Sequence, residues 1–225
     1  MAKMVKAAPR QARPAAAVAD RDKPKRAPAE PERVNAAGLI LDTTARLLRQ
    51  KGYEATTLRD IAQEVGIKAG SIYHHFPSKD AIVQRVVDEG VRVVHEAVVG
   101  ALAALPPNAS PRRRLETALR AHLLSSLKHS DYTSASIRAF AFLPPKVREE
   151  CGVERRKYEN VWRTVIADMG KAGLIPPGTS QDSVRLLLLG AVNWAGEWYR
   201  PGRLGIDKIA RDFAASVCPE LRGTG

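Results

Sequence analysis

The stretch that decides the fold runs from residue 57 to residue 79 and reads TLRDIAQEVGIKAGSIYHHFPSK. Its first residue, Thr57, can cap a helix, and Asp60 can return the hydrogen bond from the first turn. Gly66 can adopt the left-handed conformation that ends this helix, and a tight turn then leads to a short third helix over residues 71–75. Two short helices joined by a tight turn that contains glycine are typical of a helix-turn-helix motif.

The residues on either side complete this motif as a small domain. Upstream, a first helix is predicted over residues 35–51, because Leu41 and Leu48 lie with other apolar residues on one helical face. Downstream, Ser78 can cap a fourth helix after a proline that ends the third. We therefore predict a three-helix helix-turn-helix domain over residues 34–80.

The remainder, residues 81–225, shows no strand-like alternation and is predicted to be a second domain, a helical bundle. A valine-rich seam with helical spacing runs along the fourth helix, and pairs of prolines separate several of the later helices. The sixth helix is predicted over residues 132–142, and the eighth is predicted to start at a Thr179 cap and continue to Tyr199. The fold class is therefore predicted to be all-α.

Composition narrows the class of protein. The chain has 225 residues, 44% of them hydrophobic, which is enough for a folded core and excludes a wholly disordered chain. No apolar run approaches the roughly 20 residues that a membrane-spanning helix needs. The N-terminus lacks the apolar segment of a secretory signal, and the two cysteines have neither metal-site nor disulfide-scaffold spacing. We therefore expect a cytoplasmic protein without membrane association.

The charge is strongly basic, with 36 lysines and arginines against 24 acidic residues and a formal net charge of +12. Residues 1–33 hold nine basic and four acidic residues and have no periodic apolar pattern, so we predict a disordered basic tail. This tail could follow a nucleic-acid backbone, or it could be a solvated leader without a site-specific role. Residues 34–80 carry six basic and five acidic residues, a near-neutral balance that predicts a need for dimerisation in tight binding.

The start of the third helix has the chemistry that a DNA-reading element needs. Ala69, Gly70 and Ser71 are small, so the backbone can approach a groove closely. Hydroxyl, imidazole and amine groups around this segment can donate hydrogen bonds to phosphates. The N-termini of the second and fourth helices add further anion-binding positions.

This stretch resembles the DNA-binding signature of the TetR family of bacterial transcription regulators. The resemblance covers residues 34–80 and includes Lys51-Gly52-Tyr53 at the end of the first helix. It also includes the Tyr73-x-x-Phe76 pattern and the lysine that follows. The resemblance implies a regulator that binds a double-stranded DNA operator.

The resemblance also implies a role for each exposed residue of the motif. Tyr73, His75 and Lys79 would bind phosphate, whereas residues 68–71 and His74 would face the major groove. Arg59 would reach a base, and a bidentate contact to guanine suits the geometry of a guanidinium group. The alternatives are a half-buried packing ring for Tyr73 and ordinary surface groups for the others. The complete predicted DNA-binding set is Thr57, Arg59, Lys68, Ala69, Gly70, Ser71, Tyr73, His74, His75 and Lys79.

The eighth helix is apolar on nearly every side, since residues 186–192 read LLLLGAV. A helix without a polar face must be buried all round. A homodimer interface would bury the surplus, with Leu188 at the contact, and a two-fold protein suits a palindromic operator. The alternative is a central core helix of a monomer. The family resemblance also implies pairing through the last two long helices.

The second domain carries most of the aromatic residues, on helices that flank the interior of a bundle, where ligand pockets form. Residues 193–204, NWAGEWYRPGRL, resemble the matching helix end in TetR-type regulators of fatty-acid and sterol-ring breakdown, some of which respond to CoA thioesters. The predicted ligand-binding residues are Phe140, Tyr158, Trp162, Trp194 and Trp198. The cations that could bind the phosphates of an acyl-CoA effector are Arg138, Arg155, Arg156, Lys157 and Arg163.

Simpler interpretations remain open for the same residues. The aromatic side chains could be plain core, and the cations could form a solvated charge run. His122 is interpreted as a core histidine with its hydrogen bonds satisfied.

The sequence lacks catalytic and metal-binding motifs. It has no glycine-rich phosphate loop and no nucleophile elbow, and His95-Glu96 lacks the second histidine of a zinc-peptidase helix. We therefore predict no enzyme activity, no cofactor and no metal. The favoured hypothesis is a transcription repressor that a small apolar or acyl-CoA-type effector releases from its operator. An architectural DNA-binding protein without an effector and a helical enzyme with an incidental helix-turn-helix are the alternatives.

Overall fold

The computed structural model describes residues 30–218, with side chains described for residues 36–129 and 131–218. The predicted tail therefore lies outside the described residues, except for residues 30–33. The helices are α1 (Glu30–Ala55), α2 (Leu58–Val65), α3 (Ala69–Ile72), α4 (Lys79–Ala103), α5 (Pro111–Lys128), α6 (Ser130–Arg138), a 3-10 turn (Phe140–Phe142), α7 (Pro145–Lys171), α8 (Gln181–Asn193), α9 (Ala195–Trp198) and α10 (Ile206–Val217). Within residues 30–218 there is no strand, which confirms the all-α prediction. In the same range no helix is long and apolar enough to cross a bilayer.

The hydrogen bonds at the predicted start of α2 are present. Thr57 Oγ1 accepts from the Asp60 amide at 3.1 Å, and the Asp60 carboxylate accepts from the Thr57 amide at 3.0 Å. Gly66 ends the helix with a φ of 78°, in the left-handed region that glycine adopts at no steric cost. Ser78 caps α4 by accepting from the Ala81 amide at 3.1 Å. Local sequence therefore fixes the boundaries of the helix-turn-helix motif.

The first and third helices differ from their predicted bounds. α1 begins at Glu30 rather than at residue 35, because a proline in the first turn lacks only an amide hydrogen that would be unpaired there. α3 occupies Ala69–Ile72, earlier than the predicted residues 71–75. Lys68 has an extended backbone and starts α3 directly after the turn. The segment before Pro77 is irregular, since a residue that precedes proline avoids the helical region.

The sixth and eighth helices are also shorter than predicted. The segment predicted as one helix over residues 132–142 is α6, which ends at Arg138, followed by the separate 3-10 turn. Ser180, not Thr179, caps α8 by accepting from the Ser183 amide at 3.0 Å. α8 ends at Asn193, and the backbone of Trp194 leaves the helical region before α9. The break lies next to Gly196, a residue type that weakens a helix interior.

Helix α4 passes through the cores of both domains. Its first turns supply Ile82 to the core beneath the helix-turn-helix, where Ile61 and Ile72 are also fully buried. Further along, Val86 and Val87 share a second core with α1, α6 and α7. The last buried valines of α4 belong to the large core of the C-terminal bundle. The long valine seam therefore joins the two domains through one continuous helix.

Helix α6 lies in close contact with α4 and also reaches α1. A Cβ atom at Gly90 of α4 would lie 2.3 Å from the Tyr132 carbonyl oxygen of α6, so the contact requires glycine. The Tyr132 hydroxyl donates to Asp42 Oδ1 of α1 at 2.6 Å. Arg49 of α1 and Asp131 of α6 form an ion pair at 2.7 Å. Helix α6 therefore connects the bundle to the first helix of the DNA-binding domain.

Replacing Gly90 with alanine should destabilise the protein by about 1–3 kcal/mol or more, because the added methyl group would overpack the α4–α6 contact. Thermal unfolding followed by circular dichroism measures the effect. Gly100→Ala on the same helix is the control, since a Cβ atom there would meet no atom within 4 Å. It should leave the stability unchanged or raise it by up to about 1 kcal/mol. Equal melting temperatures for both variants would contradict the proposed tight contact.

Candidate functional site

The predicted groove-facing segment lies at the protein surface around α3. Lys68, Ala69 and Gly70 are exposed, and a side chain at position 70 would meet no atom within 4 Å. Ile72 on the opposite side of α3 is fully buried and anchors the helix to α2. Small residues thus lie on the outer face of a firmly packed helix, where a DNA backbone or base edge can approach closely.

The residues that follow α3 offer donors at the same surface. The Tyr73 ring is 59% exposed, which argues against the interpretation as a half-buried packing ring. His74 is exposed and His75 is half-buried. Thr57 is exposed, and its hydroxyl proton remains available, because its oxygen acts as the acceptor in the helix cap. Contacts of these four residues with DNA remain predictions.

The near-neutral DNA-binding domain has six cations, of which Arg59, Lys68 and Lys79 form no ion pair with the described side chains. Three of its cations form ion pairs within the protein: Arg46 with Glu64, Arg49 with Asp131, and Lys51 with Asp60. Among the side chains that the structure describes, Arg59 of α2 and Lys68 before α3 have no ion-pair partner. Both are exposed. The free positive charge of the domain therefore lies where the sequence predicts contact with DNA.

Lys79 supports the domain from within. Its ammonium group donates to the carbonyl oxygens of Tyr53 at 2.9 Å and Thr56 at 3.0 Å, and it lies 4.0 Å from the centre of the Tyr53 ring. Burial lowers the pKa of the Lys79 amine. These contacts hold the end of α1 against the start of α4. One N–H of the ammonium group remains for the phosphate contact that the sequence predicts.

A partly open cavity, called the bundle cavity below, lies between α4, α5, α6, α7 and α8. Its volume is about 290 Å³. Its wall combines apolar side chains with hydroxyl, imidazole, guanidinium and carboxylate groups. The lining residues are Gly90, Val91, Val94, His122, Thr133, Ser136, Ile137, Arg155, Tyr158, Glu159, Arg185, Leu186, Leu189, Gly190 and Asn193.

A hydrogen-bonded pair of aromatic residues forms one side of the bundle cavity. His122 Nδ1 lies 2.6 Å from the Tyr158 hydroxyl. Burial lowers the pKa of His122 to about 3, so the imidazole is neutral at physiological pH. Burial also raises the pKa of Tyr158. The interpretation of His122 as a fully satisfied core residue is therefore half right, because Nδ1 has a partner whereas Nε2 has none among the described residues.

The five predicted ligand-binding residues do not form one site. Tyr158 lines the bundle cavity, and the Phe140 ring lies 3.9 Å from the guanidinium of Arg155, which also lines it. Trp162 is fully buried in the core, edge-on to Tyr158. Trp194 and Trp198 are exposed, and neither lines the bundle cavity.

The cavity-lining residues that the sequence did not predict include apolar residues of α4 and α8 and three polar residues, His122, Thr133 and Ser136. Thr133 and Ser136 occupy the buried face of α6. Polar residues at buried helical positions are a sequence signal for a cavity. The predicted ligand-binding residues are all aromatic, so this signal was not used. Among the predicted phosphate-binding cations, Arg155 lines the bundle cavity, whereas Arg138 pairs with Glu197 and Lys157 pairs with Glu154.

The described residues contain no group of three or more histidine, cysteine, aspartate or glutamate side chains arranged to hold a metal ion. What the structure does contain is a helix-turn-helix surface with free cations, joined by α4 and α6 to a cavity in a helical bundle. This combination defines a DNA-binding transcriptional regulator with a ligand-binding domain.

Comparison with known proteins supports this class. Residues 40–86 match the family described as "Bacterial regulatory proteins, tetR family", and residues 108–220 match "Tetracyclin repressor-like, C-terminal domain". The HTH-type transcriptional repressor KstR2 of Rhodococcus jostii (strain RHA1) is 30% identical over 192 residues, which is 81% of this chain and 89% of that protein. The chain therefore belongs to the TetR family of bacterial transcription regulators, as its helix-turn-helix signature predicts.

Solved structures show the same fold. The crystal structure of AibR in complex with isovaleryl coenzyme A and operator DNA superposes with a TM-score of 0.71 at 25% identity and covers 82% of this chain and 98% of that one. The ketosteroid transcriptional regulator KstR2 of Mycobacterium tuberculosis has a TM-score of 0.67 at 24% identity, with 80% and 92% covered. The second similarity supports the fold alone.

Replacing Arg59 with glutamine should relax base preference at one position of each half-site and weaken specific binding by about 1–3 kcal/mol, because the predicted bidentate guanine contact would be lost. Fluorescence anisotropy with operator variants that carry each base at that position measures the effect. Arg46→Gln is the control, since Arg46 is paired with Glu64. A uniform loss of affinity for all sequences after Arg59→Gln would show that Arg59 contacts phosphate instead.

Proposed function

We propose that this protein represses transcription by binding a palindromic operator as a homodimer in the cytoplasm, and that a small apolar or acyl-CoA-type effector in the bundle cavity releases it. The observation that carries the proposal is the position of α6. This helix lines the cavity with Thr133, Ser136 and Ile137 and contacts α1 through Asp131 and Tyr132. Binding of an effector in the cavity would therefore act directly on a helix that supports the DNA-binding motif.

Helix α4 supplies a second connection. Gly90, Val91 and Val94 line the bundle cavity, whereas Lys79 at the other end of α4 bonds to the carbonyl oxygens at the end of α1. A shift of α4 would change the separation of the two recognition helices in a dimer. Half-sites lie about 34–36 Å apart on DNA, so a changed separation weakens operator binding. Thermodynamic linkage then requires that operator DNA weakens effector binding by the same factor.

The proposed homodimer rests on the outer face of α8. Leu186 is 61% exposed and Leu187 is 63% exposed in the single chain. Leu188, which the sequence analysis placed at the subunit contact, is 2% exposed and belongs to the core of its own subunit. Neighbouring exposed leucines on a helix favour burial against a partner. A second copy of this chain would supply that partner through a two-fold interface.

The proposed effector class rests on the cavity and on the similar proteins. The cavity is partly apolar, and AibR, which shares this fold, was crystallised with isovaleryl coenzyme A and operator DNA. Footprinting of DNA upstream of the protein's own gene, followed by titration with isovaleryl-CoA and longer acyl-CoA thioesters, tests the proposal. We expect a protected inverted repeat and loss of protection with one thioester. Protection that no metabolite relieves would instead indicate an architectural DNA-binding protein.

The enzyme alternative makes a different prediction for the exposed Tyr73. If binding to DNA is the function, Tyr73→Ala should abolish operator protection, because the ring and its hydroxyl lie beside the groove-facing segment. A helical enzyme would convert a small molecule without DNA and would be indifferent to the same substitution.

Replacing Tyr132 with phenylalanine should uncouple the two sites. The variant loses the hydrogen bond to Asp42 but keeps the packed ring, so operator affinity without effector should change by less than about twofold. The effector concentration needed for half-release should rise several-fold, within the range of about 5- to 150-fold that allosteric couplings span. Anisotropy titrations of effector into the operator complex measure both quantities, and Tyr199→Phe is the control. Unchanged release by Tyr132→Phe would exclude the Asp42 contact from the coupling.

Replacing Leu187 with lysine should convert the dimer to a monomer and weaken operator binding at least tenfold, because a desolvated charge would lie in an apolar interface. Sedimentation equilibrium and anisotropy measure the two effects. Leu124→Lys on α5 is the control, because Leu124 is 39% exposed and lies outside α8. An unchanged dimer after Leu187→Lys would place the interface on another face.

A further inference from the structure

The wall of the bundle cavity has more hydrogen-bonding capacity than the protein uses. His122 Nε2, Thr133 Oγ1 and Arg155 Nε are each buried without a hydrogen-bond partner among the described residues. All three residues line this cavity. Native proteins rarely leave buried polar atoms unpaired, so three of them in one wall indicate a position for the acceptor atoms of a ligand.

His122, which lines the cavity, has one ring nitrogen free to donate a hydrogen bond. Its Nδ1 lies 2.6 Å from the Tyr158 hydroxyl. A phenol hydroxyl is a better donor than acceptor, so we assign the proton of this bond to Tyr158 and an acceptor role to Nδ1. The neutral imidazole then carries its hydrogen on Nε2, the atom that has no partner in the described protein.

Arg155 places a positive charge in the same wall. One of its N–H groups donates to the Ser136 carbonyl oxygen at 3.1 Å, and the guanidinium lies 3.9 Å from the centre of the Phe140 ring. Among the described residues no carboxylate lies within ion-pair distance of it; Glu159, in the same cavity wall, raises its pKa electrostatically but is paired with Arg163. Burial lowers the pKa of the guanidinium, which still remains protonated at neutral pH. A largely buried arginine with an unused N–H is best compensated by an anion.

Thr133 differs from two other buried threonines, Thr44 and Thr56. Thr44 and Thr56 each donate to the carbonyl oxygen one helical turn earlier, at Ile40 and Gly52, at 2.7 Å. The Thr133 hydroxyl is buried without such a bond, and Thr133 is one of the residues that line the cavity. It is therefore free to bind an oxygen of a ligand.

The remaining lining residues and the volume of the cavity limit the polarity and the size of the part of the ligand that can enter it. Val91, Val94 and Leu189 provide apolar contact. A volume of about 290 Å³ is at the lower end of the range of about 300–1,000 Å³ for ligand pockets. The cavity thus fits a body of the size of a medium-chain acyl group, and a CoA moiety would have to lie outside it.

We propose that the effector is an amphipathic molecule with a carboxylate at its buried end, bound by Arg155, Thr133 and His122, and that the cavity therefore discriminates against plain alkyl chains. This inference rests on the proposed function, because it names the chemistry of the effector. The carboxylate could belong to a free carboxylic acid, or it could be the distal group of an acyl-CoA thioester whose acyl chain carries a second acid. Both sources share the same contact with the three donors.

Isothermal titration calorimetry on the full-length protein without DNA tests the inference with two matched pairs of probes. Octanoate against 1-octanol tests the free acid, and octanedioyl-CoA against octanoyl-CoA tests a distal carboxylate on a thioester. We expect the carboxylate-bearing member of at least one pair to bind at least about tenfold more tightly, as a charged hydrogen-bonded contact would. The pair that shows the preference identifies the source. Absence of a preference in both pairs, including absence of binding, would overturn the inference.

Replacing Arg155 with methionine should remove this preference, because the side chain keeps its length but loses its charge. Lys146→Met is the control, since Lys146 is an exposed cation on the same helix and should leave the ratio unchanged. Near-UV circular dichroism checks that the variants are folded. Thr133→Val, which keeps the side-chain shape, provides a second test and should lower the preference by about two- to tenfold. A preference that survives both substitutions would overturn the assignment.

This measurement is independent of operator release. If the carboxylate-bearing probe binds with the expected preference but leaves the operator complex intact, the proposed effector response fails and the inference about the cavity stands. If a plain alkyl compound releases the operator without any preference for a carboxylate, the inference fails and the proposed function stands.

Discussion

The crossing of α4 and α6 at Gly90 is the contact on which the rest of the arrangement depends. Because a Cβ atom at this position would lie 2.3 Å from the Tyr132 carbonyl oxygen, the two helices can meet only where a side chain is absent. This approach brings Thr133 to the cavity wall and the Tyr132 hydroxyl to Asp42 of α1. One contact between two backbones therefore positions both the cavity and the helix that supports the DNA-binding motif.

Packing contributes more than the surface ion pair to the stability of the junction between the two domains. The Arg49–Asp131 ion pair lies at the surface, with both side chains more than a third exposed, and such pairs contribute only about 0–1 kcal/mol. The core beneath it contains Ala45 of α1, Val86 of α4 and Ala135 of α6, all fully buried. Because close-packed cores transmit displacement, a change at the cavity would reach α1 through these side chains as well as through the proposed Tyr132–Asp42 contact.

The sequence predicted the structure best where a feature depends on residues that are close together in the chain. The hydrogen bonds between Thr57 and Asp60 and the conformation of Gly66 depend on residues within one helical turn, so the helix-turn-helix was predictable together with its family. The cavity was not, because Thr133 and Arg155 are ordinary polar residues in sequence and acquire their role only when four other helices surround them. Within the run of leucines in α8 there is no polar residue to set a periodicity, so the buried Leu188 could not be distinguished from its exposed neighbours.

The length of α4 has a mechanical consequence. In the proposed mechanism Gly90 would be the pivot of α4, and the N-terminal end of this helix at Lys79 lies about 16 Å away at a rise of about 1.5 Å per residue. Rotation of this part of α4 by about 6° would displace the end at Lys79 by about 1.7 Å. A hydrogen bond of about 2.9 Å would then be longer than the donor–acceptor distance that a hydrogen bond allows. On the proposed mechanism, a ligand would need to produce a movement no larger than the width of one atom to release the protein from DNA.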